Sequence, residues 1–112
     1  VCKTLWCLVG HTHVPCFIEY NRSERRLRRI LTFEKELADI SFEDETSVRY
    51  ILNPGSVGQP RDGDPRASVA ILDVDRKRAT IHRVPYDVAA AQRKIRDAGL
   101  PGFLADRLAM GR

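Results

Sequence analysis

The sequence predicts an α+β fold, with its strands first and two helices at the end. Three observations carry this. Short apolar or alternating runs recur up to Val84, turn-forming residues separate them, and beyond Asp87 the apolar positions take helical spacing.

Leu5-Trp6-Cys7-Leu8-Val9 is a continuous apolar run halted by Gly10, the pattern of a strand buried on both faces. Residues 16–20 make a second strand, and Asn21-Arg22-Ser23 has turn chemistry. Residues 27–33 make a third, with Leu27, Leu31 and Phe33 expected on one face. Residues 34–46 are acidic and carry no period, so they read as irregular. Residues 48–52 are again strand, stopped by Asn53-Pro54-Gly55. Residues 53–66 hold three prolines and three glycines, which excludes helix and central strand and leaves an ordered loop. Residues 68–74 and 79–84, joined by Asp75-Arg76-Lys77-Arg78, read as a β-hairpin.

Asp87 then caps a helix whose apolar face is Val88, Ala91, Ile95 and Ala98, with Gly99 past its end. Pro101 opens a shorter helix carrying Leu104 and Leu108, closed by Gly111. No repeat, low-complexity tract or linker divides residues 1–112, so they read as a single unit.

With 43% hydrophobic and 30% charged residues the composition is that of a globular protein. No apolar run approaches the ~18 residues of a membrane-spanning helix, so no membrane partner is expected. The net charge of +4, from 19 Lys and Arg against 15 Asp and Glu, is compatible with anionic substrates. Cys2, Cys7 and Cys16 are odd in number and crowded at one end, which argues for a reducing, cytoplasmic location rather than a disulfide framework.

Gly10-His11-Thr12-His13 directly follows the first predicted strand. Gly10 permits a sharp exit from the sheet, and two imidazoles one residue apart can approach a common metal centre; neutral imidazole accepts Mn, Fe, Zn or Ni. Alone the pair reads more readily as unrelated surface or core histidines. The loop from Asn53 adds a second feature: Asn53-Pro54-Gly55-Ser56-Val57-Gly58-Gln59-Pro60-Arg61-Asp62-Gly63-Asp64-Pro65-Arg66-Ala67-Ser68 leads straight into a strand.

Together these motifs resemble the calcineurin-like metallophosphoesterases, and more narrowly the small prokaryotic members labelled diadenosine-tetraphosphatase-like. Arg83-Val84-Pro85-Tyr86-Asp87 and Ala98-Gly99-Leu100-Pro101 are similar to the same group, so the resemblance runs from Leu5 to Arg112. It implies the C-terminal half of a layered α/β/β/α sandwich, and hydrolysis of phosphate ester or pyrophosphate bonds by hydroxide activated at a dinuclear centre of divalent transition metals. It also implies that His11 binds the second metal and His13 the first. Such a centre holds two cations roughly 3.5–4 Å apart and offsets charge in the transition state. The implied substrate is a phosphorylated small molecule or a nucleotide.

The family's earlier motifs, an Asp-x-His, a glycine-Asp, a glycine-Asn-His and a further lone His, do not precede Gly10 in this sequence. The chain is therefore expected to be the C-terminal part of a longer polypeptide, inactive alone, with the N-terminal half as its partner and the general acid outside it. His82 alternates with apolar residues on the last strand and reads as structural. The loop keeps two readings: an ordered turn, or a substrate contact in which Asn53, Ser56 and Arg61 face the metal crevice and Arg61 grips phosphate.

An alternative from a different class is a structural zinc module of Cys7, His11, His13 and Cys16 beside a nucleic-acid-binding face. Zinc modules pair ligand couplets across a longer loop, which counts against it. Arg22, Arg25, Arg26, Arg28 and Arg29 form the basic cluster, and with few aromatics nearby it reads as a solvated strand face rather than a nucleic-acid contact.

Overall fold

The computed structural model describes residues 4–32 and 38–112. Its elements are β1 (Trp6–Leu8), β2 (Cys16–Asn21), β3 (Arg26–Thr32), β4 (Ala38–Ser41), β5 (Val48–Asn53), β6 (Ala67–Asp73), β7 (Arg78–Val84), α1 (Val88–Asp97) and α2 (Gly102–Met110). The α+β order of strands followed by two helices is the one the sequence predicts.

Two sheets face each other. One runs β1-β5-β2-β3 and the other β4-β7-β6. β1 lies parallel to β5, with Trp6 opposite Tyr50 and Leu8 opposite Leu52, and the other pairings are antiparallel. Both hairpins turn on side-chain chemistry. Asn21 Oδ1 accepts from Glu24 N–H at 2.9 Å, and Asp73 Oδ1 accepts from Arg76 N–H at 2.9 Å.

Alternation supplies the core. Val48, Tyr50 and Leu52 of β5 and Phe17 of β2 point inward from the first sheet, meeting Ile40 of β4 and Ala79 and Ile81 of β7. Trp6 stands edge-on to Phe42 with ring centroids 4.7 Å apart, and Phe17 stacks on Tyr50 at 5.6 Å. The buried Tyr50 hydroxyl donates to Glu43 O and accepts from Glu43 N–H, at 3.1 and 2.9 Å. Burial raises the pKa of this phenol, so it stays a neutral donor.

Three local expectations are corrected. The segment read as irregular contains β4, because pairing with β7 rather than its own acidic composition decides its conformation. Leu8 and Val9 are 64% and 39% exposed, so β1 is not buried on both faces; it is the edge strand of its sheet. Leu27 and Leu31 do not share a face. Glu19 pairs with Arg29 but Tyr20 pairs with Leu27, so Arg28 is an extra residue, and this bulge reverses the alternation. Leu31 packs on the core, while Leu27 turns to the outer face. Phe33 lies outside the described residues.

That outer face is apolar. Cys7, Ile18, Tyr20, Leu27 and Ile51 line a cavity of about 620 Å³, with Arg22, Arg25 and Arg49 also at its walls. The rest of the arginine cluster is neutralised locally: Arg26 and Arg28 pair with Glu24, and Arg29 pairs with Glu19 while lying over the Phe17 ring.

Asp87 caps α1 by accepting from Ala90 N–H at 2.8 Å, and Gly111 ends α2 in the left-handed region at φ 62°. The helices pack on each other through Gln92, whose Nε2 donates to Ala105 O, and through the Arg96–Asp106 ion pair. The end of α2 is moored to the proline-rich loop: Gly63 N–H donates to Gly111 O, and a Cβ on Gly111 would meet the Asp64 backbone at 2.6 Å. No helix among the described residues is long and apolar enough to cross a membrane. The molecule measures 52 × 26 × 19 Å, and its radius of gyration of 16.5 Å exceeds the ~13 Å of a compact domain of this length.

Tyr50→Phe removes one hydroxyl that serves both a donor and an acceptor of Glu43. It should lower unfolding free energy by about 1 kcal/mol. A urea melt checks this: the midpoint should fall with the slope unchanged, and an unmoved midpoint would assign the hydroxyl no net contribution.

Candidate functional site

The residues between β1 and β2 form a tight loop whose backbone is unusual. His11 and His13 both have positive φ, 74° and 60°. Residues with a Cβ avoid this region at a cost of roughly 1–2 kcal/mol each, so the surroundings must hold them there.

They do so at several points. Thr12 N–H donates to Gly10 O at 3.0 Å, closing the first turn. Asn53, 2% exposed at the end of β5, donates from Nδ2 to Gly10 O at 3.3 Å and to Thr12 Oγ1 at 2.9 Å. Its Oδ1 accepts from Gly55 N–H at 3.0 Å. The histidine loop and the proline-rich loop are thereby tied through one buried carboxamide.

The second loop then holds His13 directly. Its Nδ1 lies 2.7 Å from Gln59 O. A carbonyl oxygen only accepts, so Nδ1 carries a proton, and in the neutral imidazole Nε2 then keeps its lone pair, the arrangement typical of an imidazole presented to a metal. Arg61 N–H donates to His13 O at 3.2 Å, so ring and backbone are both held. Ser56 Oγ accepts from Gln59 N–H at 2.9 Å, fixing the carbonyl-bearing residue itself.

Behind these contacts the loop packs closely. Gly55, at φ 82°, has room for no Cβ: one would lie 2.8 Å from Ser68 and 3.2 Å from Pro15. Ser68 Oγ donates to Pro54 O at 2.7 Å, and Pro15 and Pro60 are fully buried. Asp64 takes a bidentate grip from Arg66, which holds its carboxyl below the usual carboxylate range.

The five candidate residues therefore occupy one neighbourhood in different states. His11 is exposed, and His13 is half-buried with its ring oriented. Asn53 is enclosed, with both ends of its amide committed to the protein. Ser56 accepts from the Gln59 backbone, while Arg61 is exposed and its guanidinium rests on Gln59 Oε1 at 2.9 Å. Gln59 was not singled out in the sequence, because it acts through its backbone carbonyl. The buried Asp62–Arg83 pair did leave a signal, since Arg83 is in phase with the buried Ala79 and Ile81 along β7.

A metal fits His13, given the donor on its Nδ1, but two imidazoles do not complete a site. Among the described residues no three of His, Cys, Asp and Glu converge as a metal site would require. This counts against the zinc module as well: Cys7 lines the outer-face cavity and Cys16 opens β2 opposite Asn53 and Thr32, so the four residues do not gather. His82 stands on β7 with its Nε2 3.2 Å from Thr80 Oγ1.

No family model matches the chain. One solved structure superposes on 97% of it with a TM-score of 0.78 and 46% identity, across 42% of that structure's own chain. It is a metallophosphoesterase from Sphaerobacter thermophilus. An uncharacterized protein of Methanocaldococcus jannaschii is 42% identical over 104 residues, which are 93% of this chain and 38% of that protein. The chain thus spans about two fifths of the length of the relatives it matches. Its α+β architecture is that of the matched part of a metallophosphoesterase.

Asn53→Ala should release the histidine loop by deleting three hydrogen bonds at a buried position. Stability should fall by about 2 kcal/mol in a denaturant melt. The Thr12 and Gly55 amides should also lose hydrogen-exchange protection; unchanged exchange at both would show that the loops hold without the carboxamide.

Proposed function

We propose that this chain is the C-terminal part of a metallophosphoesterase domain that hydrolyses phosphate ester or pyrophosphate bonds, with His11 and His13 as two of its metal ligands. The observation that carries this reading is the His13 ring, whose Nδ1–H is committed to Gln59 O while Nε2 is left for a metal. Its setting supports it: two histidines at positive φ, on a loop directly after a strand. The 46% identity to a metallophosphoesterase supports the same chemistry. The Gly10-His11-Thr12-His13 motif and the loop from Asn53 support the narrower diadenosine-tetraphosphatase-like group.

When bound, a pair of divalent ions of the Mn, Fe, Zn or Ni type supplies Lewis acidity and lowers the pKa of coordinated water. This chain's residues do the rest of the work assigned to it. His13 presents a neutral imidazole of fixed tautomer, and His11 offers a second from the exposed side of the turn. Asn53 keeps the two in register. Arg61, exposed beside the histidine loop, contacts a phosphate oxygen of a nucleotide or other phosphorylated small molecule through its planar fork. The remaining ligands and the general acid come from elsewhere in the polypeptide, so the segment alone is inactive.

The rest of that polypeptide docks on the apolar outer face of the first sheet. Leu27 and Ile30 are 53% and 56% exposed there, beside the cavity lined by Ile18, Tyr20 and Ile51. Free thiols at Cys7 and Cys16 suit a cytoplasmic protein.

In the full-length polypeptide, His13→Ala should abolish Mn²⁺-dependent hydrolysis of a phosphodiester substrate, with at least one metal ion lost per chain by elemental mass spectrometry. Wild-type turnover together with wild-type metal content would overturn the reading. Arg61→Ala should raise KM by roughly tenfold or more, the loss of one charge-assisted contact of about 1.5–3 kcal/mol, with kcat less affected. Wild-type kinetics would return Arg61 to a structural role.

A further inference from the structure

The segment that holds His13 is itself anchored by a charge pair for which the proposed chemistry gives no role. Arg83 lies in phase with Ala79 and Ile81 on β7, which carries its side chain inward. There its guanidinium donates to Asp62 Oδ2, and the two side chains are only 1% and 6% exposed. The second carboxylate oxygen, Asp62 Oδ1, is buried with no hydrogen-bond partner among the described residues. An enclosed carboxylate depends on its cation, so the location of Asp62 is dictated by Arg83.

Asp62 ends a run of four residues with successive anchors. Gln59 O accepts from the His13 ring, Pro60 is fully buried with its φ fixed by its own ring, and Arg61 N–H donates to His13 O. His13 sits at φ 60°, a conformation that relaxes unless its surroundings over-determine it. The far end of that restraint is the ion pair.

We propose that the Asp62–Arg83 pair is a positioning device for the His13 imidazole, acting through residues 59–62 and without touching a metal or substrate; this rests on the reading of His13 as a metal ligand. Displacing the group that orients a ligating histidine costs roughly 10- to 100-fold in metal affinity. A pair that only glued the loop to β7 would affect stability and leave the imidazole unchanged.

The experiment uses the full-length polypeptide as wild type, Asp62→Asn, Asp62→Glu and His13→Ala. Asp62→Glu keeps the charge, and so the fold, while displacing the segment by one methylene. Two readouts are taken: Mn²⁺ affinity by calorimetric titration of the metal-free protein, and the His13 tautomer by long-range ¹H–¹⁵N NMR without metal. Wild type should show the Nδ1–H form. The Asp62 variants, folded by circular dichroism, should bind Mn²⁺ roughly 10- to 100-fold more weakly and show a mixture of tautomers at His13. A folded Asp62 variant with wild-type Mn²⁺ affinity and an intact Nδ1–H form overturns the proposal. Wild-type Mn²⁺ binding by His13→Ala instead overturns the ligand reading, and the metal-free tautomer still decides whether the pair orients the ring.

Discussion

Asn53 is where a strand, a turn and a neighbouring loop all meet. It is the last residue of β5, so the sheet fixes its backbone, and its buried carboxamide reaches across to Gly10 and Thr12 while receiving Gly55. A shorter side chain would not span this gap, and a carboxylate there would have no N–H to offer Gly10 O. The conformations of His11 and His13 become tenable once the turn between them is clamped in this way. The unfavourable φ angles are thus offset by hydrogen bonds made around them, chiefly to the backbone, and anchored on the buried Asn53 carboxamide.

The two sheets serve this clamp by separating their faces. Inward positions are filled by aromatics in mutual contact, Trp6, Phe17, Phe42 and Tyr50, which leave little freedom for β5 to shift relative to β1 and β2. Outward positions on the first sheet are apolar too, yet face a cavity rather than a packed layer. The bulge at Arg28 is what adds Leu27 to that outer surface. Together with the elongated shape, this leaves large apolar side chains such as Leu27 and Ile30 on the exterior.

Much of this was legible in the sequence where local chemistry decides the outcome. Short strand-like runs gave β2 and β5, the turn residues marked the break before β3 and the β6/β7 hairpin, and Asp87 and Gly111 marked helix ends. β4 was not legible, because its four residues lie among acidic ones and become a strand only by pairing with β7. The bulge was hidden for a similar reason: nothing about Arg28 itself marks it as the extra residue. The site divides in the same way. The histidine pair and the Pro-Gly loop stood out as motifs, but positive φ at two histidines has no side-chain signature of the kind a glycine gives. Gln59 contributes its carbonyl, which any residue type supplies, so its identity could not announce its role. Arg83 went unremarked in the sequence, although its phase along β7 puts a cation among inward-facing residues.

The β1–β5 pairing also carries a consequence for how the chain assembles. The hairpins β2/β3 and β6/β7 join neighbours in sequence and close over short turns, whereas Asn53 and Thr12 are 41 residues apart. Bringing distant segments together carries a loop-closure entropy that local contacts do not, so such contacts form late on average. The two histidines therefore reach their final conformation only after β5 has arrived and the proline-rich loop has closed over them. A half-folded chain lacks the Gln59 carbonyl that fixes the His13 tautomer, so its imidazoles are not yet oriented. On the proposed reading of His11 and His13 as ligands, their place at a long-range junction rather than within a hairpin would make metal capture a late event, one that reports that the fold is complete.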